Sequence, residues 1–97
     1  MKVMISQPMR GKTNEEIRLE RESLVEELKK EGHIVVDTII SKEAPKNMDE
    51  AIYYLSKSIE YIGKVDGVVF MPFWESARGC RIEYAVAKEY GKFIREI

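Results

Sequence analysis

The chain has 97 residues, of which 44% are hydrophobic and 34% charged, the proportions of one small globular domain spanning residues 1–97. Its net charge of -1 supplies no excess of cations to displace counterions, which argues against a nucleic acid polymer as partner. A single cysteine, Cys80, excludes an internal disulfide and a cysteine zinc cluster. No signal peptide is recognisable and no apolar run approaches the roughly 20 residues of a membrane span, so we expect a cytoplasmic protein without a membrane partner.

The first quarter of the chain predicts a strand, a turn and a helix. Lys2 to Ser6 is a short apolar strand, and residues 7–12 (QPMRGK) form the turn after it. Thr13 with Glu16 is a capping box that starts a helix, and Gly32 ends it. Its apolar stripe comprises Ile17, Leu24, Val25 and Leu28, and the charged face that we expect to be solvated comprises Glu15, Arg18, Glu20, Arg21, Glu22, Glu26 and Glu27.

The middle of the chain predicts a second strand and a second helix. Residues 33–37 (HIVVD) indicate a buried strand, and residues 38–46 a loop. Asn47 with Glu50 is a capping signature for a helix from about Met48 to Ile62. The residues expected to be buried on this helix are Ile52, Leu55, Ile59 and Ile62.

The last third predicts a third strand, a third helix and a final strand. The apolar run from Val68 to Met71 is typical of a strand buried on both faces, and Pro72 ends it. A helix begins near Arg78, and residues 92–96 (KFIRE) form the last strand. The apolar residues that recur on this helix are Ile82, Val86 and Tyr90, with Ala85 beside them.

This alternation of strands and helices predicts an α/β domain with a parallel sheet and helices on both faces. We expect a three-layer, flavodoxin-like or Rossmann-like fold with strand order 2-1-3-4. The order reverses between strands 1 and 3, and ligands bind beyond the carboxyl ends of strands at such a switch point. Two loops meet there: loop 1 (residues 7–12) and loop 3 (residues 73–79).

Loop 1 places two cations and a flexible glycine immediately before a helix. Backbone N–H groups at the helix start, together with Arg10 and Lys12, suit an anionic group such as a phosphate. The Walker and G-x-G-x-x-G patterns are absent, so the sequence does not support an ordinary P-loop or dinucleotide fold. The alternative is an exposed turn that contacts no ligand.

Loop 3 carries aromatic and polar candidates for ligand binding. Phe73 and Trp74 could stack on a base or sugar, or could pack under the next helix or against a second subunit. Ser76 could bind a ligand or cap the helix. Asp66 begins strand 3 at the opposite edge of the sheet, so we interpret it as structural. Asp37 lies at the correct edge, one strand away from the switch point.

Glu83 is the candidate reactive residue. Its neighbours one helical turn away, Gly79 and Ala87, are small, so this face of the helix could leave its carboxylate room for a ligand. The alternative is a solvated glutamate without a chemical role. A second nucleophile, a low-pKa thiolate of Cys80 at the helix start, has no partner motif around the single histidine.

Three segments together resemble the nucleoside 2-deoxyribosyltransferase-like superfamily. They are ISQPMRGK after strand 1, DGVVF of strand 3, and SARGCRIEYAVAKEYG, which holds the G-x-x-x-E-x-x-x-A pattern of Gly79, Glu83 and Ala87. The closest resemblance is to the short bacterial and phage branch of the DUF4406 type. The first loop is also similar to that of 2'-deoxynucleoside 5'-monophosphate N-glycosidases (N-hydrolases).

The resemblance implies an N-glycosidic transferase or hydrolase without a cofactor or metal. Glu83 would attack the anomeric carbon of deoxyribose and form a covalent glycosyl-enzyme, which a second base or water resolves with retention. The resembling enzymes complete their sites across an interface, so a homodimer or higher homo-oligomer is expected. The predicted substrate-binding residues are Gln7, Pro8, Met9, Arg10, Gly11, Lys12, Trp74, Ser76, Arg78 and Gly79.

The sequence departs from the family at a second carboxylate, which assists departure of the base. The corresponding stretch, Ser56-Lys57-Ser58, contains no acid, and Asp49, Glu60 and Glu75 are the substitutes the sequence offers. Loss of general acid catalysis lowers a rate by about 10² to 10⁴. The alternatives are therefore a nucleotide-binding protein that senses or sequesters its ligand without turnover, and a purely structural protein.

Overall fold

A computed structural model describes residues 1–40 and 42–97, so Ser41, inside the predicted 38–46 loop, lies outside the described residues. Strands and helices alternate as the sequence predicts. The elements are β1 (Lys2–Ser6), α1 (Asn14–Lys30), β2 (Ile34–Val35), α2 (Glu50–Ile62), β3 (Gly67–Phe70), a 3-10 turn (Trp74–Ser76), α3 (Arg78–Glu89) and β4 (Phe93–Glu96).

The four strands form one parallel sheet in the order β2-β1-β3-β4, which confirms the predicted fold class and strand order. In the centre of the sheet, Met4 of β1 pairs with Val68 of β3, and Val68 pairs with Ile94 of β4. After β1 the chain continues to β2 on one side of the sheet, and after β3 it continues to β4 on the other side. The carboxyl ends of β1 and β3 therefore define the switch point.

Alternate residues of the central strands enter two separate cores, one on each face of the sheet. Val3, Ile5 and Val69 pack with Leu24 and Leu28 of α1. On the opposite face, the packed residues are Met4, Val68, Phe70, Ile62, Val65 and Ala87, which join α2 and α3 to the sheet. Each fully buried aliphatic or aromatic side chain contributes about 1.5–3 kcal/mol, so these clusters hold the three layers together.

The predicted boundaries of α1 are confirmed. The hydroxyl of Thr13 accepts a hydrogen bond from the amide of Glu16 at 3.1 Å, and the carboxylate of Glu16 accepts one from the amide of Thr13 at 3.1 Å. These bonds lower the pKa of Glu16. Gly32 has a φ of 92°, which lets the chain turn back beyond the helix. The charged face is exposed as predicted except at Arg21, whose side chain is 5% exposed.

The prediction of a buried five-residue second strand is wrong. β2 contains only Ile34 and Val35, and Ile34 is 65% exposed. β2 is an edge strand with a single neighbour, so one of its sides faces solvent. The last hydrogen bond from this segment to β1 is from the amide of Val36 to the carbonyl of Val3.

The start and the buried face of α2 also differ from the prediction. Its N-cap is Asp49, which accepts a hydrogen bond from the amide of Ile52 at 3.0 Å, in place of Asn47. Only Ile62 is buried on this helix, whereas Ile52 and Ile59 are exposed and Leu55 is half-buried. The reason is that α2 packs mainly against α3 and enters the core with its last turn.

The buried face of α3 is rotated relative to the apolar stripe that the sequence indicates. Tyr90 is 77% exposed and Ile82 is exposed, while the buried residues are Cys80, Glu83 and Ala87. Small side chains allow a helix to approach a sheet closely, and Ala87 is completely buried in the core beside Phe70. Glu83 therefore belongs to the inner face of the helix. Among the described residues, no helix has the length and apolar character to cross a membrane.

Candidate functional site

Few polar side chains of the described residues are buried, and three of them lie at or just after the ends of β1 and β2. The buried polar residues are Ser6, Gln7, Arg21, Thr38 and Glu83. Ser6 is the last residue of β1 and Gln7 the first of loop 1, while Thr38 follows β2. Because burying a polar group carries a free-energy cost unless it is hydrogen-bonded, a cluster of them at the predicted switch point indicates a specialised region.

Glu83 lies inside this cluster and is 8% exposed. The hydroxyl of Ser6 donates a hydrogen bond to its Oε2 at 2.9 Å. Burial raises the pKa of Glu83, while the hydroxyls of Ser6 and Ser58 and the positive charge of Arg21 act in the opposite direction. The interpretation of Glu83 as a solvated surface residue is therefore wrong.

Cys80 lies one helical turn before Glu83 and is also buried. Burial, together with a smaller effect of the nearby charge of Glu83, raises the pKa of the Cys80 thiol to about 11. Ser6 only partly offsets these effects. The thiol is thus protonated at neutral pH, which contradicts a role as a low-pKa nucleophile.

Arg21 ties loop 1 to α1 through Gln7. Its Nε donates a hydrogen bond to Oε1 of Gln7 at 2.5 Å, and Nε2 of Gln7 donates to the carbonyl of Ile17 at 3.3 Å. Nη1 donates to the hydroxyl of Thr38 at 3.4 Å, while buried Nη2 has no partner within residues 1–40 and 42–97. Burial lowers the pKa of Arg21, and Asp37 and Glu83 counteract this effect. We call Arg21, Gln7 and Thr38 the arginine clamp.

Sequence reasoning missed Arg21 because it grouped the residue with the charged face of α1. A positional signal was nevertheless present. Arg21 follows Ile17 by four residues and precedes Leu24 by three, which places it on the stripe that α1 buries. A charged residue on an apolar stripe indicates a buried partner.

Loops 1 and 3 meet at a cleft of about 290 Å³ beyond the ends of β1 and β3. It lies at the predicted switch point, and a wider groove of about 620 Å³, whose lining includes Arg21, runs along α1 and β2. Glu83 is among the lining residues of neither space. The cleft combines a cation, a carboxylate and apolar surface, which suits a small amphipathic ligand. Its lining residues are Gln7, Pro8, Lys12, Glu20, Met71, Pro72 and Phe73.

Loop 1 forms a tight turn that exposes its cations. Gly11 has a φ of 79°, and the amide of Lys12 donates to the carbonyl of Met9 at 3.1 Å. The ammonium of Lys12 pairs with Glu20 at 2.9 Å, which restrains it at the wall of the cleft. Arg10 is exposed and makes no ion pair or hydrogen bond with the described residues, so its guanidinium is available to an anion.

Trp74 packs against the protein. Its ring stacks on that of Tyr84 with centroids 4.5 Å apart and an angle of 8°, and its Nε1 donates to Glu96 at 3.2 Å. Phe70 contacts both rings at centroid distances of 5.2 Å. Phe73, beside it, is 80% exposed and lines the cleft.

The start of α3 has no side-chain cap. Its N-cap residue is Ala77, while the hydroxyl of Ser76 donates to the carbonyl of Phe73 at 2.6 Å. The alternative to ligand binding, that Ser76 caps this helix, is therefore wrong. Arg78 is exposed, and a Cβ added at Gly79 would meet nothing within 4 Å, so open space lies beside the first turn.

The remaining acidic candidates make separate contacts. Asp66 accepts a hydrogen bond from the amide of Lys2 at 2.8 Å, as its structural interpretation requires, and Asp37 pairs with Arg18 at 3.1 Å. Of the substitutes for a second carboxylate, Asp49 caps α2, Glu60 pairs with Lys57 at 3.4 Å and Glu75 is exposed. Across the described ranges, no three His, Cys, Asp or Glu residues converge as metal ligands would.

Together, these features define a small parallel α/β domain with one buried carboxylate and a two-loop cleft at its switch point. A family model described as "Domain of unknown function (DUF4406)" matches residues 1–96, and the chain belongs to this family. A comparison with curated proteins finds no match.

Proposed function

We propose that this domain acts on the N-glycosidic bond of a nucleoside or nucleotide, as a deoxyribosyltransferase or a 2'-deoxynucleoside 5'-monophosphate N-hydrolase, with Glu83 as the nucleophile. The observation that carries the proposal is the buried hydrogen bond from Ser6 to Glu83 at the carboxyl end of β1, since Ser6 immediately precedes Gln7, which lines the cleft. The resemblance in the G-x-x-x-E-x-x-x-A pattern supports the same assignment.

The proposed reaction has two displacements. A carboxylate oxygen of Glu83 attacks C1' of the sugar, a C–O bond forms, and the C1'–N bond breaks. The base leaves with the electron pair of that bond and takes a proton from solvent. Water or a second base then attacks C1' and gives up a proton to solvent, the C–O bond breaks and the carboxylate is restored, so configuration is retained overall.

The hydrogen bond from Ser6 has a defined role in this scheme. Only the ionised form of Glu83 can attack C1', and burial disfavours that form. The hydroxyls of Ser6 and Ser58 and the charge of Arg21 favour the carboxylate, so they partly offset the effect of burial. The same hydroxyl of Ser6 would orient Oε2 relative to the sugar.

Loop 1 would hold the anionic end of the ligand. Lys12 lines the cleft in an ion pair with Glu20, Arg10 lies two residues before it with an exposed guanidinium, and the turn at Gly11 leads into the start of α1. The arginine clamp keeps this loop in position through Gln7. Arg78 and the open space beside Gly79 would serve the sugar or phosphate from the side of α3.

The test is a base-release assay. The protein is incubated with a panel of deoxynucleosides and their 5'-monophosphates, and free base is measured by chromatography. The wild type is expected to release base, and Glu83→Gln to lose about 10³-fold or more of that rate. The matched control is Glu89→Gln on the same helix, because Glu89 is exposed and should keep full activity. No release by the wild type, or full activity of Glu83→Gln, refutes the proposal.

A second candidate function is nucleotide binding without turnover. It is favoured by one observation: of the three substitutes for a second carboxylate, Asp49 caps α2, Glu60 pairs with Lys57 and Glu75 is exposed. Calorimetry followed by chromatography separates the two candidates. A binding protein holds its ligand intact for hours at stoichiometric concentration, whereas the enzyme releases base. A purely structural protein binds no ligand at all.

A further inference from the structure

Phe73 adopts a backbone conformation that bulky residues avoid. Its φ is 68° and its ψ 14°, in the left-handed region, and no other non-glycine residue in the described part of the chain has a positive φ. A side chain with a Cβ is strained there because the Cβ approaches the following carbonyl oxygen. At the same time, the phenyl group is 80% exposed. Packing in the hydrophobic core therefore does not explain why an aromatic residue occupies this position.

The conformation is imposed by the residues that follow. The carbonyl of Phe73 accepts hydrogen bonds from the amide of Ser76 at 3.0 Å and from its hydroxyl at 2.6 Å. Trp74 is held by its stack on Tyr84 and by its bond to Glu96. Packing of the turn thus fixes the backbone and directs the phenyl group away from the core that Trp74 joins.

The exposed ring lines the cleft opposite the residues of loop 1. Loop 1 lines the cleft with Gln7, Pro8 and Lys12. The segment after β3 lines it with Pro72 and Phe73. Strained non-glycine residues concentrate at ligand-binding sites, where surrounding structure maintains them. The ammonium of Lys12 in this lining is paired with Glu20, and the exposed guanidinium of Arg10 lies two residues before it in loop 1. A planar hydrophobic face in a cleft bordered by this loop suits a ligand that carries an aromatic ring at one end and an anion at the other.

We propose that Phe73 is the stacking platform for the base of the bound nucleotide, and that it determines preference for base-bearing ligands. This inference rests on the proposed function and adds the residue that contacts the leaving group. In this arrangement Trp74 holds loop 3 in place, since its ring already stacks on Tyr84. Phe73 takes no part in bond breaking; it is a binding residue.

The experiment measures binding in a Glu83→Gln background, so that the ligand is not consumed. Calorimetry compares a 2'-deoxynucleoside 5'-monophosphate with deoxyribose 5-phosphate, which has the same anion and no base. Phe73→Asn should weaken binding of the monophosphate by about 5- to 150-fold, the contribution of one base stacked on an aromatic side chain. Binding of deoxyribose 5-phosphate should not change. Phe73→Tyr keeps the aromatic face and should bind both ligands as the parent does.

Asparagine is chosen because it tolerates the left-handed region, so the loop keeps its shape. The melting temperature of Phe73→Asn should equal or exceed that of the parent, since strain is removed and little burial is lost. Opposite effects on stability and on binding distinguish a ligand contact from a structural role.

Three results would overturn the inference. Equal weakening for both ligands would mean that Phe73 shapes the loop, and no weakening would mean that the ring does not touch the base. A change in oligomer mass with unchanged ligand discrimination would assign Phe73 to a subunit contact. If the background variant binds neither ligand, both this inference and the proposed function fail; if it binds the monophosphate regardless of residue 73, only this inference fails.

Discussion

The hydroxyl of Ser6, at the end of the central strand, donates to the buried carboxylate of Glu83 at 2.9 Å, although 77 residues separate them along the chain. The bond joins β1 to the inner face of α3. An ionised carboxylate in such a position lowers the stability of the fold, because water no longer solvates the charge, no ion pair with a described residue replaces it, and the charge of Arg21 only partly compensates. A buried carboxylate that weakens the fold and is bonded to the last residue of a central strand is a candidate for chemistry.

The first prediction concerns the stability of Glu83→Gln as a function of pH. Below the ordinary pKa of 4.5, Glu83 is protonated in both folded and unfolded chains. As the pH rises, the unfolded chain loses the proton first because the folded-state pKa is raised, so ionisation favours unfolding until the pH passes that pKa. Glutamine keeps an acceptor for Ser6 and carries no charge. The variant should therefore melt at a higher temperature than the wild type at neutral pH.

The measurement is thermal unfolding of both proteins at about pH 4 and about pH 8, since linkage gives the change with pH a definite sign. The difference in melting temperature should be small at the lower pH and larger at the higher pH. A difference that is independent of pH would contradict a buried carboxylate at position 83. Glu89→Gln, an exposed change on the same helix, controls for general effects of charge removal.

The second prediction concerns the arginine clamp. Arg21→Ala removes the donor to Gln7 and leaves a cavity beneath α1, so the free energy of unfolding should fall by about 2–4 kcal/mol. Arg18→Ala, one turn earlier on the same helix, removes only an exposed ion pair to Asp37 and should cost about 0–1 kcal/mol. Urea unfolding of the two variants measures both values. Equal losses would show that Arg21 is no more structural than a surface residue.

The third prediction concerns anion binding by loop 1. Arg10 makes no ion pair with the described residues, so its removal should leave the fold intact. Arg10→Ala should weaken binding of a nucleoside 5'-monophosphate by about 1.5–3 kcal/mol, the loss of a charge-assisted bond. Binding of the nucleoside without phosphate should change little. Calorimetry with the two ligands checks this, and an unchanged affinity for the monophosphate would remove loop 1 from the site.

The fourth prediction is a homo-oligomer, at least a dimer, in which a neighbouring subunit covers the cleft. The supporting observation is that α2 and α3 leave bulky apolar side chains exposed, including Ile52, Ile59, Ile82 and Tyr90. A stable interface buries on the order of 1,200 to 2,000 Å² in total. Light scattering at micromolar concentration should give a mass above 11.3 kDa, and Ile82→Glu should lower it. A single species of 11.3 kDa with and without nucleotide would refute the shared site.

The topology could be predicted from the sequence because it depends on local signals. A capping box at Thr13, apolar runs of strand length, and glycines after helices determine the order of elements, and right-handed crossovers then restrict the strand order. The position of the cleft follows from that order alone. The burial of Glu83 was not predicted, because the small residues Gly79 and Ala87 one turn away indicate only room for a ligand beside its carboxylate.

The errors arose where packing depends on distant partners. On α3 two faces competed, and the larger apolar residues Ile82 and Tyr90 indicated the wrong one, because close approach to the sheet requires a small residue such as Ala87. Burial of Arg21 depends on Gln7, which is 14 residues away. The short β2 reflects its place at the edge of the sheet, which no local pattern encodes.

The fifth prediction tests the central claim, that Glu83 is a nucleophile. The protein is mixed with a deoxynucleoside 5'-monophosphate, quenched rapidly in acid, digested and analysed by mass spectrometry. We expect a deoxyribosyl phosphate adduct on the peptide that contains Glu83, absent from Glu83→Gln, because a double displacement passes through a glycosyl-enzyme. Release of base with no adduct on that peptide, or with the adduct on another residue, would contradict the account.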